Sequence, residues 1–385
     1  MTLHFSREEF AQRQAAAKKA MIEAGLDGMI FFAQESHYYL TGYDTSGYVW
    51  FQCGVTTAGS DPYTLLIRMP DLQNARITSV CEDIRIWDDN GTNNPALELR
   101  SILAEMGLEG KRVGVELMTH ALVASNYIKL ADALEGFCEL TDASTLVRAL
   151  RSVKSNAEIA YVRKAAEIAD EAMEAMIART GPGAFEGDIA AAGQGVILRA
   201  GGDVAPSGPT IGSGFRALSG RASTGPANLL DTDQLTIEFA ATYRRYNACL
   251  MRTILVGKVT PRQRELYDAV HGALSEAIDV ARPGNRLGDV YDAHQAVFEG
   301  RGLGRFRRPS CGYSLGATYR PTWMDVPPMI QSSNDMPIVP NMVLFLHSIV
   351  MDTDTQLAMS LGRTVLTTSE DCEVLSSEKL DLLAK

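Results

Sequence analysis

The sequence predicts an α/β N-terminal domain over residues 1–150 and a second domain of alternating helices and strands over residues 151–385. Three observations carry this. The chain has 385 residues and 41.8 kDa, more than one hydrophobic core usually serves. Up to about residue 145, short apolar runs alternate with helical patterns, the layout of an α/β layer. From Ser144 to Ala178 the pattern becomes one long helix, and longer strand patterns follow it.

Taken in order, Ser6-Arg-Glu-Glu9 is a capping-box pattern that opens an Ala-rich helix running to Gly25, a natural C-cap. Asp27–Ala33 reads as a buried strand. Strand patterns recur at Tyr63–Ile67, Ile84–Trp87 and Arg112–Glu116, with helical patterns at Asn94–Glu105 and Ala121–Leu134. The long helix keeps Ile159, Val162, Ala166 and Ile168 on its apolar side and stops at Pro182-Gly183. Helices are then expected at Glu186–Ala200, Pro261–Arg282 and Leu287–Gly300. The matching strands are Leu235–Phe239, Ala248–Val256, Met342–Met351 and Arg363–Thr368.

Composition narrows the function. Apolar residues at 46% and charged residues at 22% are ordinary for a globular enzyme, and a net charge of −11 speaks against nucleic acid or an anionic membrane as partner. The Arg-rich stretch Arg301–Arg308 is the local exception, read either as a solvated loop or as an anion or subunit contact. Six cysteines without metal-type spacing, no apolar run near eighteen residues and no signal-like start lead us to expect a cytoplasmic protein.

Chemistry concentrates in Thr236–Thr253. Glu238 lies in an apolar strand, where a carboxylate is costly without a partner and burial raises its pKa toward a general base. Cys249 is either a small buried hydrophobe or a thiolate nucleophile. His347 sits in another apolar strand, as a core residue or a proton shuttle titrating near neutrality.

Several stretches resemble the creatinase/prolidase family. Glu35-Ser-His-Tyr-Tyr-Leu-Thr-Gly-Tyr-Asp44 is similar to its N-terminal segment, and Leu146–Ala165 to its inter-domain helix. Thr236–Thr253, Gly312-Tyr-Ser-Leu-Gly316 and Pro340–Thr368 resemble its catalytic domain. The resemblance implies an α+β "pita-bread" catalytic domain for residues 151–385. It also implies that the metal-ligand positions of metal-dependent members fall here at Glu238, Cys249, Tyr313, His347 and Gly362, a poor donor set. The chain most resembles the metal-free branch with creatinase and the ectoine hydrolases, through Tyr39–Asp44, Tyr243-Arg-Arg-Tyr246, Gly312–Ala317 and Pro321-Thr-Trp323.

The expectation that follows is a metal-independent homodimeric hydrolase of a non-peptide C–N bond, without cofactor. Its substrate would be a small cyclic amidine, guanidino or amide compound. Glu238, Cys249 and His347 would be catalytic; Tyr313, Trp323, Asp325, Arg216 and Tyr48 would bind substrate. Arg221 is a second candidate for a substrate carboxylate, and the resemblance implies that His37, Tyr48, Trp50 and Gln52 project into a partner subunit's pocket. Ser219-Gly220 stands where many relatives carry a further histidine. Two alternatives stay open: a metal-dependent Xaa-Pro peptidase-like or lyase relative using Glu238, Cys249 and His347, and an inactive small-molecule-binding protein.

Overall fold

The computed structural model describes residues 3–59, 61–221 and 224–385. The chain divides into two compact units, Met1–Arg151 and Ser152–Lys385.

The first unit is a six-stranded sheet of β1 (Gly28–Phe31), β2 (Cys53–Thr57), β3 (Thr64–Arg68), β4 (Asp83–Trp87), β5 (Arg112–Val115) and β6 (Glu139–Asp142), ordered β4-β3-β2-β1-β5-β6. Pairs β1–β2 and β2–β3 are antiparallel and the rest parallel. Two strands escaped the pattern reading. β2 contains Gly54, where a Cβ would lie 2.0 Å from the Tyr63 hydroxyl, so the position needs glycine despite its poor strand propensity. β6 is a polar edge, Glu-Leu-Thr-Asp, with no fully buried residue. At the end of β5 the buried Glu116 carboxylate accepts from the Phe32 and Ala33 amides at 2.9 and 2.8 Å and from the Ser36 hydroxyl at 2.5 Å, holding the start of helix Gln34–Thr41.

That packing corrects part of the projected-residue expectation. His37 is fully buried against the Tyr63 hydroxyl at 2.9 Å, and Gln52 is bonded to Gln34 and Tyr43. Tyr48 is buried as well. Only Trp50 stands out, 52% exposed under the Arg68 guanidinium.

The expected helix Ser144–Ala178 is two helices, Leu146–Ser152 and Asn156–Arg179. Val153 bridges to Met342, and the Lys154 amide donates to the Asn341 carbonyl. Ser155 and Glu158 then close a capping box that starts the second helix afresh. Amphipathic spacing continues across the break, so periodicity alone ran the two together.

The second unit holds an eight-stranded antiparallel sheet: β7 (Thr210–Ser213), β8 (Asp233–Tyr243), β9 (Tyr246–Val256), β10 (Gly312–Ser314), β11 (Met329–Ile330), β12 (Val343–Asp352), β13 (Leu357–Thr367) and β14 (Cys372–Val374). The order is β11-β10-β12-β13-β9-β8-β7, with β14 on β13. Helices Asn156–Arg179 and Glu186–Arg199 share a core with Leu235, Ile237 and Phe239 of β8 and Leu250 and Ile254 of β9. Helices Pro261–Val280 and Leu287–Gly300 do the same with Leu344 and Leu346 of β12 and Leu361 and Val365 of β13. Strand alternation places all these apolar residues on one face. The opposite face is left for chemistry.

Candidate active site

Register decides which side chains share that second face. The β8–β9 hairpin turns through Arg244 and Arg245, both at positive φ, and pairs Tyr243 with Tyr246. Across so tight a turn, Glu238 is opposite Met251 and Ala240 opposite Cys249. Met251 is opposite Gly362, Gly362 opposite His347, and Phe345 opposite Tyr313. Directly paired residues point to the same side. Glu238, Cys249, Tyr313, His347 and Gly362 therefore lie on one face, although they come from five strands.

Glu238 is the centre of this group. The Tyr313 hydroxyl donates to its carboxylate at 3.2 Å, and the Trp323 indole N–H donates to the Tyr313 oxygen at 2.8 Å. Protein surrounds the carboxylate closely, although the residue as a whole is only half-buried. Burial pushes it up to about 7, against the Tyr313 hydrogen bond and the positive charge of Arg221, which lower it.

His347 departs from expectation. Its ring lies 5.9 Å from that of Tyr313 and 5.6 Å from that of Phe345. Burial, helped by the charge of Arg308, lowers its pKa to about 4. The imidazole is neutral at physiological pH, so near-neutral titration belongs to Glu238 and not to His347.

Cys249 is also corrected. It is fully buried, its amide and carbonyl are both bonded to the Thr364 hydroxyl, and its thiol is pushed well above the ordinary range by burial and by the Glu238 charge. A thiolate nucleophile is disfavoured there.

The binding residues separate. Tyr313 and Trp323 form the relay on Glu238. The Asp325 amide bonds to the Ser314 carbonyl, and its carboxylate sits where a Cβ on Gly316 would meet it at 2.5 Å, so it packs against the backbone turn. Arg216 is committed to the buried Glu186 at 2.6 Å and is no longer a candidate for a substrate carboxylate. Tyr48 belongs to the first unit. Arg308, from the Arg-rich stretch, lies against the Met351 sulfur and acts electrostatically on His347. An apolar cavity of about 20 Å³ between helix Glu186–Arg199 and the Asp203–Pro209 loop contains none of these residues.

Comparison with known proteins fits this arrangement. Residues 13–153 match the creatinase/prolidase N-terminal domain, and residues 160–369 match metallopeptidase family M24. The chain belongs to family M24. An uncharacterized hydrolase/peptidase, y4tM, of Sinorhizobium fredii is 30% identical over 331 residues, covering 83% of this chain and 84% of that one. The ectoine hydrolase of Halomonas elongata is 25% identical over 406 aligned residues, covering 100% and 99%. A solved Xaa-Pro dipeptidase from Bacillus anthracis superposes with a TM-score of 0.85 at 20% identity, covering 98% and 100%, and shows the pita-bread fold.

The family is named for a metal, but the residues of this M24 chain do not fit one. Gly362 offers no donor. The Tyr313 phenol is buried, with its pKa raised, and already holds Glu238 and Trp323. The Cys249 thiol resists ionisation, and cation binding needs several ionised or imidazole donors together. Among the described residues no group of three or more His, Cys, Asp or Glu side chains could hold a metal ion.

Proposed function

We propose that this M24 chain is a metal-independent hydrolase of a non-peptide C–N bond in a small cyclic amidine, guanidino or amide compound. The carrying observation is Glu238, a single half-buried carboxylate poised at about 7 and held by one hydrogen bond from Tyr313. Full-length similarity to an ectoine hydrolase supports the substrate class.

In this reading Glu238 accepts a proton from water, and the hydroxide adds to the amidine or amide carbon. Protonated Glu238 returns that proton to the leaving nitrogen as the C–N bond breaks, so water is consumed and no other reactant is needed. A pKa near the working pH suits a group that must accept and donate in one cycle. Neutral His347 orients the water or the intermediate by hydrogen bonding. Tyr313, receiving from Trp323, directs its own proton at the Glu238 carboxylate.

Metal content and turnover, measured together on freshly purified protein, test this. Turnover of a cyclic amidine or amide that persists in chelator, with substoichiometric metal, is expected. Stoichiometric metal with chelator-sensitive turnover overturns it. A second reading rests on Gly220 and Gly362, two glycines where the resemblance places functional side chains: the chain binds such a molecule without converting it. A ligand retained intact after long incubation with active-site-saturating protein would favour that reading.

A further inference from the structure

β6 is the last strand on one side of the six-stranded sheet, so one of its edges has no neighbouring strand among the described residues. It runs parallel to β5, with Arg112 opposite Glu139 and Val115 opposite Asp142. The amides of Glu139 and Ala143 donate toward β5, to the carbonyls of Lys111 and Val115. Alternation then turns the N–H and C=O groups of Leu140 and Asp142 outward. Edges of this kind are commonly blunted by proline or lysine. Glu139-Leu-Thr-Asp142 contains neither.

Beside this edge lies the helix Ala124–Leu134, whose Leu130, Ala133 and Leu134 sink into a core shared with Val113 and Val115 of β5. Tyr127 and Ala131, four residues apart on one stripe, stay nearer the surface, and Tyr127 is 39% exposed. Helix and strand enclose an open groove of about 420 Å³ whose apolar lining includes Tyr127, Ala131, Cys138 and Leu140. Asp132 and Glu135 also line it, and no cation does. Glu139 adds a third carboxylate on the strand. Its pairing with Arg112 at 3.7 Å joins two exposed side chains and neutralises little.

Two features select the occupant. Outward-facing main chain calls for an extended polypeptide, because a strand satisfies alternate N–H and C=O groups in register. The carboxylates call for positive charge. A second copy of this chain is the poorer match, since in-register antiparallel pairing of β6 with itself would set Glu139 against Asp142.

We propose that β6 and the helix Ala124–Leu134 form a docking groove for an extended basic segment of another protein, one that alternates apolar residues with lysine or arginine. The segment adds a strand beside β6. Its apolar side chains enter between Tyr127 and Leu140, and its cations meet Asp132, Glu135 and Glu139. The groove lies wholly in the first unit and does not depend on the chemistry of Glu238.

The test is fluorescence anisotropy of a labelled acetyl-Lys-Val-Lys-Val-Lys-Val-Lys amide titrated with the full chain. Saturable micromolar binding is expected, and none with glutamate in place of lysine. A net charge of −11 attracts any polycation, so main-chain pairing is checked with two further peptides, one N-methylated at every valine and one at every lysine. Both keep the charge, and the one whose blocked amides face β6 should bind at least about tenfold more weakly. Leu140→Pro removes an outward N–H without touching the pairing to β5, and Ala131→Lys fills the groove with like charge. Each should weaken binding by about tenfold or more, and Ala131→Lys, at a half-buried helix position, suffices if Leu140→Pro does not fold. No saturable binding, equal affinity for the plain and both N-methylated peptides, or unchanged affinity in Ala131→Lys would each overturn the groove. Self-association that Leu140→Pro abolishes, without peptide binding, would give the edge to a second copy and overturn it too.

Discussion

Glu116 in the first unit and Glu238 in the second are both enclosed carboxylates pushed up to about 7 by burial. They reach the same value in opposite surroundings. Glu116 is 2% exposed and spends its oxygens on two backbone amides and the Ser36 hydroxyl. Glu238 accepts only from Tyr313 among the described residues and keeps an open side. A raised pKa therefore does not mark a catalytic group by itself. Spare lone pairs and an approach path do, and here they separate a structural tie from a candidate base.

The sharpest way to break this comparison is to make the same substitution twice. Glu238→Gln should lower kcat by about 10²–10⁴-fold without lowering Tm, because proton transfer is lost while a buried carboxylate that is costly to ionise is replaced by a neutral amide. Glu116→Gln should leave kcat/KM near wild type while altering stability against pH. The folded pKa of Glu116 lies above its ordinary 4.5, so the stability it contributes is full below 4.5 and fades as pH rises through about 7. The glutamine has no such loss. Relative to wild type, Glu116→Gln should therefore gain stability between pH 5 and pH 8 in denaturant titrations. If Glu116→Gln abolishes turnover as Glu238→Gln does, the distinction fails.

Tyr313→Phe sharpens the same contrast. The Tyr313 hydrogen bond lowers the Glu238 pKa, so its removal should move the acid limb of the kcat/KM profile upward from about 7. A shift of about half to one pH unit is expected, which costs roughly threefold to tenfold in rate below the limb. An unmoved limb would place the titrating group elsewhere.

The smallest effect should come from Cys249→Ala. A sealed thiol contributes packing, so turnover should stay within about twofold of wild type while stability falls by about 1–2 kcal/mol. Loss of turnover by orders of magnitude in a folded Cys249→Ala protein would restore the thiol as nucleophile.

Much of the fold was legible because local rules govern it. Helix Leu287–Gly300 runs between the residues expected of it, and the hairpin strands extend beyond their apolar patterns to Asp233–Tyr243 and Tyr246–Val256. Strands such as β2 and β6 were not, since one needs a glycine for a neighbouring tyrosine and the other is a polar edge. The candidate site was legible only in part. Residue types drew attention to Glu238, Cys249 and His347, but type cannot give an environment.

By itself the sequence determined the alternation of polar and apolar residues along each strand, the caps of the helices, and the departures at 249, 313 and 362 from the resembled ligand set. Only the tertiary structure decided that β8, β9, β13, β12 and β10 align those positions on one face. It also decided that Arg216 is held by Glu186 while Arg308 borders Gly220, and that Glu238 titrates near 7 while His347 stays neutral. The physical reason is that register, burial and charge proximity are sums over neighbours far apart in the chain, and no local window of sequence contains them.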